Sequence, residues 1–201
     1  YARNRQLNVR LAEKSVFHSN RTVAYLLSSD NDEAAAAVAR VALELGALGE
    51  DWAFGADGSE LPCENLPTAL DAIAMSRAIE TRYGYGLDNF LTLTAAQSGV
   101  HCIVFAAAEA APWAAMLGKT IARFGGRFSL VLATDGFNDA QRLPIWRRLL
   151  LKSANDNSNN PETGGSRADL LKLLTELGQL VESTVVVDRK TGFSFDRNMR
   201  K

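Results

Sequence analysis

Cysteine is nearly missing. Cys63 and Cys102 are the only two in 201 residues, and their separation suits neither a disulfide framework nor a zinc-ligand pair, so a reducing, cytoplasmic setting is expected. Histidine is as scarce, with His18 and His101 alone. No apolar run approaches the ~18 residues that span a bilayer, and no secretory leader is visible. Excess charge of either sign is also lacking: 22 basic residues face 23 acidic ones, for a formal net charge of -1. That balance gives no global field for nucleic acid or acidic membranes. Nor is there a glycine-rich phosphate loop, a Ser-His-Asp order or a metal-spaced His/Cys set. What is present is an ordinary globular composition, 47% hydrophobic and 22% charged. Such a chain buries a full core without a disulfide or structural metal, and it reads as one α/β domain over residues 1–201. Tyr1 stands where Met would open a complete chain, so a fragment or processed form is expected, with any membrane tether upstream.

Hydropathy patterning supplies the architecture. Leu7, Val9 and Leu11 alternate with polar or small residues, which predicts an edge strand over 6–13. Thr22 to Leu27 is a short β-branched and apolar run, the mark of a central strand buried on both faces. The polar stretch Ser28-Ser29-Asp30-Asn31-Asp32 then offers N-cap side chains to an alanine-dense helix over about 32–45, with Val38, Val41, Ala42 and Leu45 predicted on its buried face and Gly46 as its stop. A strand is predicted near 51–54, followed by the turn Gly55-Ala56-Asp57-Gly58-Ser59. Asn65 and Pro67 open a helix expected to reach Tyr83 and to end at Gly84 and Gly86. Val100 to Ala106 and Phe128 to Ala133 read as further core strands, with a proline-initiated helix carrying Trp113, Met116, Leu117, Ile121 and Phe124 between them. Beyond these, a helix is predicted over 139–152 and a mobile loop over 154–166. A helix with Leu170, Leu173, Leu174, Leu177, Leu180 and Val181 buried follows, and then a terminal strand or hairpin from Thr184 to Asp188 and Phe193 to Phe195, joined through Arg189-Lys190-Thr191-Gly192. Strand, helix, strand therefore recurs. The fold class it predicts is a three-layer αβα sandwich with a mostly parallel central sheet, Rossmann-like.

Two loops carry candidate chemistry. Ser28, Ser29, Asp30, Asn31 and Asp32 follow a buried strand, where open α/β sheets bind ligands, and their hard oxygens suit magnesium or calcium; a capped strand-to-helix turn has the same composition. Thr134-Asp135-Gly136-Phe137-Asn138-Asp139 also follows a strand. Its Asp-Gly-x-Asn-Asp spacing resembles the metal loop of haloacid-dehalogenase-like phosphatases, although the Asp-x-Asp loop those enzymes need is not continued after Asp32. A plain turn is the simpler reading. His101 and Cys102 are adjacent in a strand, so their side chains should point to opposite faces and not form a thiolate and its base. Trp113, Met116 and Phe124 at helical spacing read as core before they read as a docking stripe. Arg147, Arg148, Lys152, Arg197, Arg200 and Lys201 read as solvated faces, with too few aromatics among them for a nucleic-acid platform.

A wider resemblance rests on Ala2-Arg3, Leu7, Val9-Arg10 and Glu13, then the strand Thr22 to Leu27, the alanine-rich helix ending at Gly46, Trp52-Ala53-Phe54 with its Gly-Ala-Asp-Gly turn, and the helix Leu70-Asp71-Ala72-Ile73-Ala74. Over roughly residues 1–135 this order is similar to that of a bacterial family of unknown function with a von Willebrand factor A-like domain, often encoded beside MoxR-type AAA+ ATPases. The resemblance implies a protein-interaction module, not an enzyme, with an AAA+ ATPase as partner. It also implies a contact face at the strand carboxyl ends: Ser28, Ser29, Asp30, Asp32, Glu109, Asp135 and Asp139. The chain departs from the family at the metal site. Where a metal-binding von Willebrand A domain has Asp-x-Ser-x-Ser, this sequence has Ser28, Asp30 and Asp32, so a degenerate site is expected, with Ser29, Asp30 and Asp32 binding magnesium or calcium weakly or not at all. Two other readings stay open. One is a magnesium-dependent phosphohydrolase using Asp30, Asp32, Asp135 and Asp139, and the other is a small-ligand or nucleotide sensor.

Overall fold

The computed structural model describes residues 21–76, 85–94, 100–109, 112–136 and 167–196. The elements in chain order are β1 (Thr22–Leu26), α1 (Glu33–Glu44), β2 (Trp52–Ala56), α2 (Leu66–Met75), α3 (Tyr85–Thr94), β3 (His101–Ala107), α4 (Trp113–Phe124), β4 (Arg127–Thr134), α5 (Arg167–Leu177), β5 (Ser183–Asp188) and β6 (Phe193–Asp196). The strands form one sheet in the order β2-β1-β3-β4-β5-β6. Every neighbouring pair is parallel except β5 and β6, which are antiparallel. The fold is therefore α/β with a mostly parallel six-stranded sheet. The expected strand over 6–13, the helix over 139–152 and the loop over 154–166 lie outside the described residues, as do His18, Asp139 and the basic residues from 147 to 152 and beyond 196.

The continuous apolar runs exist because both faces of the sheet are covered. β1 and β3 are buried at every position. Alternate residues feed two separate cores, as the two-residue period of a strand requires. Val23, Tyr25, Cys102, Val104 and Leu130 pack with Leu87 and Phe90 of α3, Trp113 and Leu117 of α4, and Leu170 and Leu174 of α5. Ala24, Leu26, Ile103, Phe105 and Val131 face the other way, against the alanines of α1 and Ala69 of α2. Helices on both faces make this arrangement compatible with a three-layer sandwich.

Local chemistry explains several boundaries. Asn65 caps α2 by accepting the Thr68 N–H at 3.1 Å, with Pro67 in the first turn. Asn65→Ala is expected to lower stability by about 1 kcal/mol, read as a shift in the urea midpoint. The β5–β6 turn is organised by Asp188, which is buried and accepts the Lys190 N–H at 3.0 Å and the Thr191 hydroxyl at 2.7 Å. Gly192 then supplies the positive φ of 67° that closes the hairpin. On the far edge, Cys63 pairs with Phe54 in an antiparallel bridge, so β2 is not bare along its whole length.

Three expectations are corrected. On α1 the buried residues are Ala34, Ala35, Ala39, Ala42 and Leu43, whereas Val41 and Leu45 are 40% and 52% exposed. The sheet selects the flattest face of this helix, not the bulkiest, because methyl side chains allow the closest approach. Second, α2 stops at Met75, and a separate helix, α3, runs through Gly86, which the sequence pattern marks as a terminator. Gly86 lies in the first turn of α3, where glycine costs less than the ~1 kcal/mol of a helix interior, and close packing on Tyr25 and Asp57 is what demands it there. Third, Leu180 lies past the end of α5 and is exposed, so the buried stripe of that helix closes at Leu177.

Candidate functional site

The carboxyl ends of β1, β3 and β4 open onto a cleft of about 220 Å³. Its position follows from topology. From β1 the chain crosses to β2 on one side, and β3 then lies on β1's other side, so the loops after β1 and β3 diverge and leave a crevice between them. Ala34, Ala107, Ala108 and Ala133 line it with methyl groups, and their small size is what leaves the space. Asp30, Glu33, Glu109 and Asp135 bring carboxylates to the same cleft, and among the described residues Lys190 from the β5–β6 turn adds a cation to its lining.

Hydrogen bonds fix the polar residues individually. Glu109 accepts the Ser29 hydroxyl at 2.8 Å and the Asn31 side-chain amide at 2.9 Å, tying the loop after β3 to the loop after β1. Asp135 is clamped by Arg189, whose Nε and Nη2 reach its two oxygens at 2.5 and 2.7 Å. This planar two-point pair holds the β4 end to the β5–β6 turn. Asp32 does not cap α1 with its side chain, contrary to expectation. It turns back to accept the Ser29 N–H at 3.3 Å, a three-residue closure in which the carboxylate satisfies the loop and leaves the helix start uncapped. Burial pushes its carboxyl above the usual range, opposed by hydrogen bonds from the Ser28–Ser29 turn. Asp30 is exposed at the rim.

Ser28 is fully buried, and its N–H is bound at 2.9 Å by Asp57. Asp57 escapes a reading of the sequence, which shows only a glycine-rich turn there. It is 5% exposed at the end of β2, and its other oxygen accepts the Tyr25 hydroxyl at 3.0 Å. Burial drives its carboxyl up to about 6, against the pull of the Ser28 and Tyr25 hydrogen bonds, with the Asp32 charge adding to the rise. The same desolvation raises the Tyr25 phenol. Its position one residue past a strand, equivalent to that of the β1 and β4 loops, is the signal that was available. Glu33, Lys190 and Arg189 were also missed, the last two because a turn sequence gives no sign of which loop it will touch.

Of the expected site residues, the structure thus brings Ser29, Asn31 and Glu109 into direct contact and places Asp30 and Asp135 around the same cleft. Ser28 and Asp32 support the loop from beneath. Among the described residues, no group of three or more His, Cys, Asp or Glu side chains is arranged to hold a metal ion. His101 and Cys102 do point to opposite faces. His101 Nε2 meets the Ser129 hydroxyl at 2.9 Å, and burial, reinforced by Arg127, depresses the imidazole to about 4. Cys102 lies in the opposite core, where burial raises its thiol. Trp113 is core, with Met116 and Phe124 half-buried beside it. No described helix is long and apolar enough to cross a membrane. Compared with family models, curated proteins and solved structures, the chain matches none.

Proposed function

We propose that this chain is a non-enzymatic protein-interaction module resembling a von Willebrand A domain with a degenerate metal site, and that its contact face is the acidic cleft at the strand carboxyl ends. One observation carries the reading: the carboxylates there are held as a surface. Glu109 is occupied by two donors from the neighbouring loop and Asp135 by Arg189. A covalent mechanism needs a nucleophile within reach of its activating base, and of the acidic residues proposed for a phosphohydrolase, Asp32 is engaged by the Ser29 N–H and Asp135 by Arg189. Asp30 and Glu33 stay exposed at the rim. With Asp135 paired to Arg189, Asp30, Glu33 and Glu109 remain against Lys190, and over a methyl-lined floor they suit a Lys or Arg side chain of a protein partner, its stem on the alanines and its charge at the rim. A MoxR-type AAA+ ATPase is the partner this reading names.

The test is binding of a purified MoxR-type ATPase to the chain and to an Asp30→Lys, Glu33→Lys variant. The variant is expected to lose about tenfold or more in affinity, at a stability cost of about 1 kcal/mol or less from the altered helix start. Equal binding by both proteins would remove the face from the account. Thermal unfolding with magnesium, manganese or calcium against a chelator runs alongside. Turnover of a generic phosphate ester that the chelator abolishes would replace this reading with the phosphohydrolase. The cleft's place at the strand divergence favours a small-ligand sensor as the second reading, which ligand-induced thermal stabilisation would support.

A further inference from the structure

Beneath the cleft lies a buried acid that the interaction reading does not use. Asp57 joins three parts of the fold: β2, which it follows; Tyr25 of β1, through Oδ1; and the Ser28 N–H, through Oδ2. α3 closes over the group with the backbone of Gly86, so tightly that a Cβ there would overlap the Tyr25 hydroxyl and lie 2.8 Å from Asp57 Oδ1. Of the described residues, the titratable groups that face Asp57 are Tyr25 from β1 and Asp32 from the following loop. α3 contributes a glycine, and its Asp88 is turned away to Thr120 and Arg123 of α4. No cation among these neighbours neutralises the charge.

We propose that Asp57 is a proton-operated tether for the contact face: ionised, it fixes the Ser28–Asp32 turn through the Ser28 N–H, and on taking up a proton it lets that turn loosen. The balance is simple. The added proton sits on Oδ1 and is donated to the Tyr25 oxygen, which turns from donor to acceptor while its own O–H rotates off Oδ1 and gives up that acceptor. Oδ2 keeps the Ser28 N–H, now as a neutral acceptor, and charge-assisted hydrogen bonds are roughly twice as strong as neutral ones. Ser28 begins the turn that carries Ser29, Asp30, Asn31 and Asp32, so its slackening is passed to the residues that meet Glu109 and rim the cleft. Burial and the nearby Asp32 charge place the titration close to neutral pH, where exposed carboxylates stay ionised. Globally the sign is opposite. The folded state binds this proton more tightly than the unfolded chain, where an Asp titrates near ~4, so acidification through about 6 stabilises the fold while it frees the turn.

The consequence for binding rests on the interaction reading, but the switch itself does not, and it is tested on the protein alone. Amide exchange of residues 28–32 is followed at ~pH 7.5 and ~pH 5.5, as protection factors referenced to amides of β3. The Ser28 amide is expected to lose about fivefold in protection at the lower pH. Asp57→Asn, which fixes the neutral state, should show the lower protection at both values. Tyr25→Phe deletes a hydrogen bond that favours the ionised form, so its transition should move to higher pH. Constant Ser28 protection in the unaltered protein overturns the proposal, as does a pH response that survives in Asp57→Asn. Should Asp57→Asn fail to fold, a Tyr25→Phe transition at an unmoved midpoint does the same. Failure to bind a MoxR-type ATPase would leave these results untouched.

Discussion

Trp113→Ala is expected to destabilise the protein by about 3–5 kcal/mol, enough to bring a domain of ordinary stability near its unfolding threshold. Trp113 is the first residue of α4, fully buried and among the largest such side chains. Its ring sits in the core that joins the sheet to α3, α4 and α5, with Leu87, Leu91, Leu117 and Leu170 in the same cluster. Truncation would leave a cavity walled by three helices from distant parts of the sequence, which cannot all move in to fill it. Chemical denaturation followed by circular dichroism measures the loss. A second variant separates packing from polarity. The indole N–H is buried without an acceptor among the described residues, a burden of about 1–3 kcal/mol. Trp113→Phe removes that orphan donor together with part of the ring, so it should cost much less than the lost volume alone implies. A cost for Trp113→Phe equal to that for Trp113→Ala would show that the indole edge is satisfied after all.

Gly86→Ala tests a second feature, and here two effects of known sign oppose each other. Alanine in place of glycine is worth about 1 kcal/mol in a helix interior and less in the first turn, where Gly86 lies, so a helix read in isolation would be modestly strengthened. In the folded protein the new Cβ overlaps the Tyr25 hydroxyl and crowds Asp57 Oδ1. Neither neighbour is free to retreat, since each is buried and they are bonded to one another. Overpacking of this kind costs about 1–3 kcal/mol, so net destabilisation is expected. Tyr25→Phe should rescue part of it. Without the hydroxyl, the nearest ring atom lies 3.4 Å from the added methyl carbon, an ordinary contact. A double-mutant cycle reads the coupling directly. Additive effects of the two substitutions would place the strain elsewhere.

Much of the fold was legible in the sequence because strands buried on both faces leave an unmistakable mark. The β-branched and apolar runs around Val23, Ile103 and Val131 announced β1, β3 and β4, and of the strand and the hairpin left open at the carboxyl end the structure has the hairpin. What was misread shares a cause. A helix that packs through alanine has no bulky stripe to reveal its buried face, so Val41 and Leu45 looked like core on α1 when they are solvent-facing. Gly86 looked like a stop because its requirement is imposed by Tyr25, 61 residues earlier, and no local pattern carries that information. The candidate site divides in the same way. Residues immediately after strands, such as Asp30, Glu109 and Asp135, were found because topology puts loop residues at one end of the sheet. The pairings of Glu109 with Ser29 and Asn31, and of Asp135 with Arg189, depend on contacts across 54 to 80 positions, and the buried Asp57 was hidden inside a turn whose composition already had an explanation.

The alanine face of α1 has a mechanical consequence. Interdigitating side chains are what stop one packed element from sliding over another, and methyl groups make few such contacts. Ala34, Ala35 and Ala39 occupy the end of α1 that emerges from the cleft, while Leu43 in its last turn and Leu48 just beyond supply the larger anchors. The helix thus meets the sheet at its amino end through methyl groups, with Val38 packed at the edge of the same core, and through larger side chains at its carboxyl end. Force applied to the Ser28–Asp32 turn, by a partner above or by Asp57 below, enters the helix at the end with the smaller interlocking side chains.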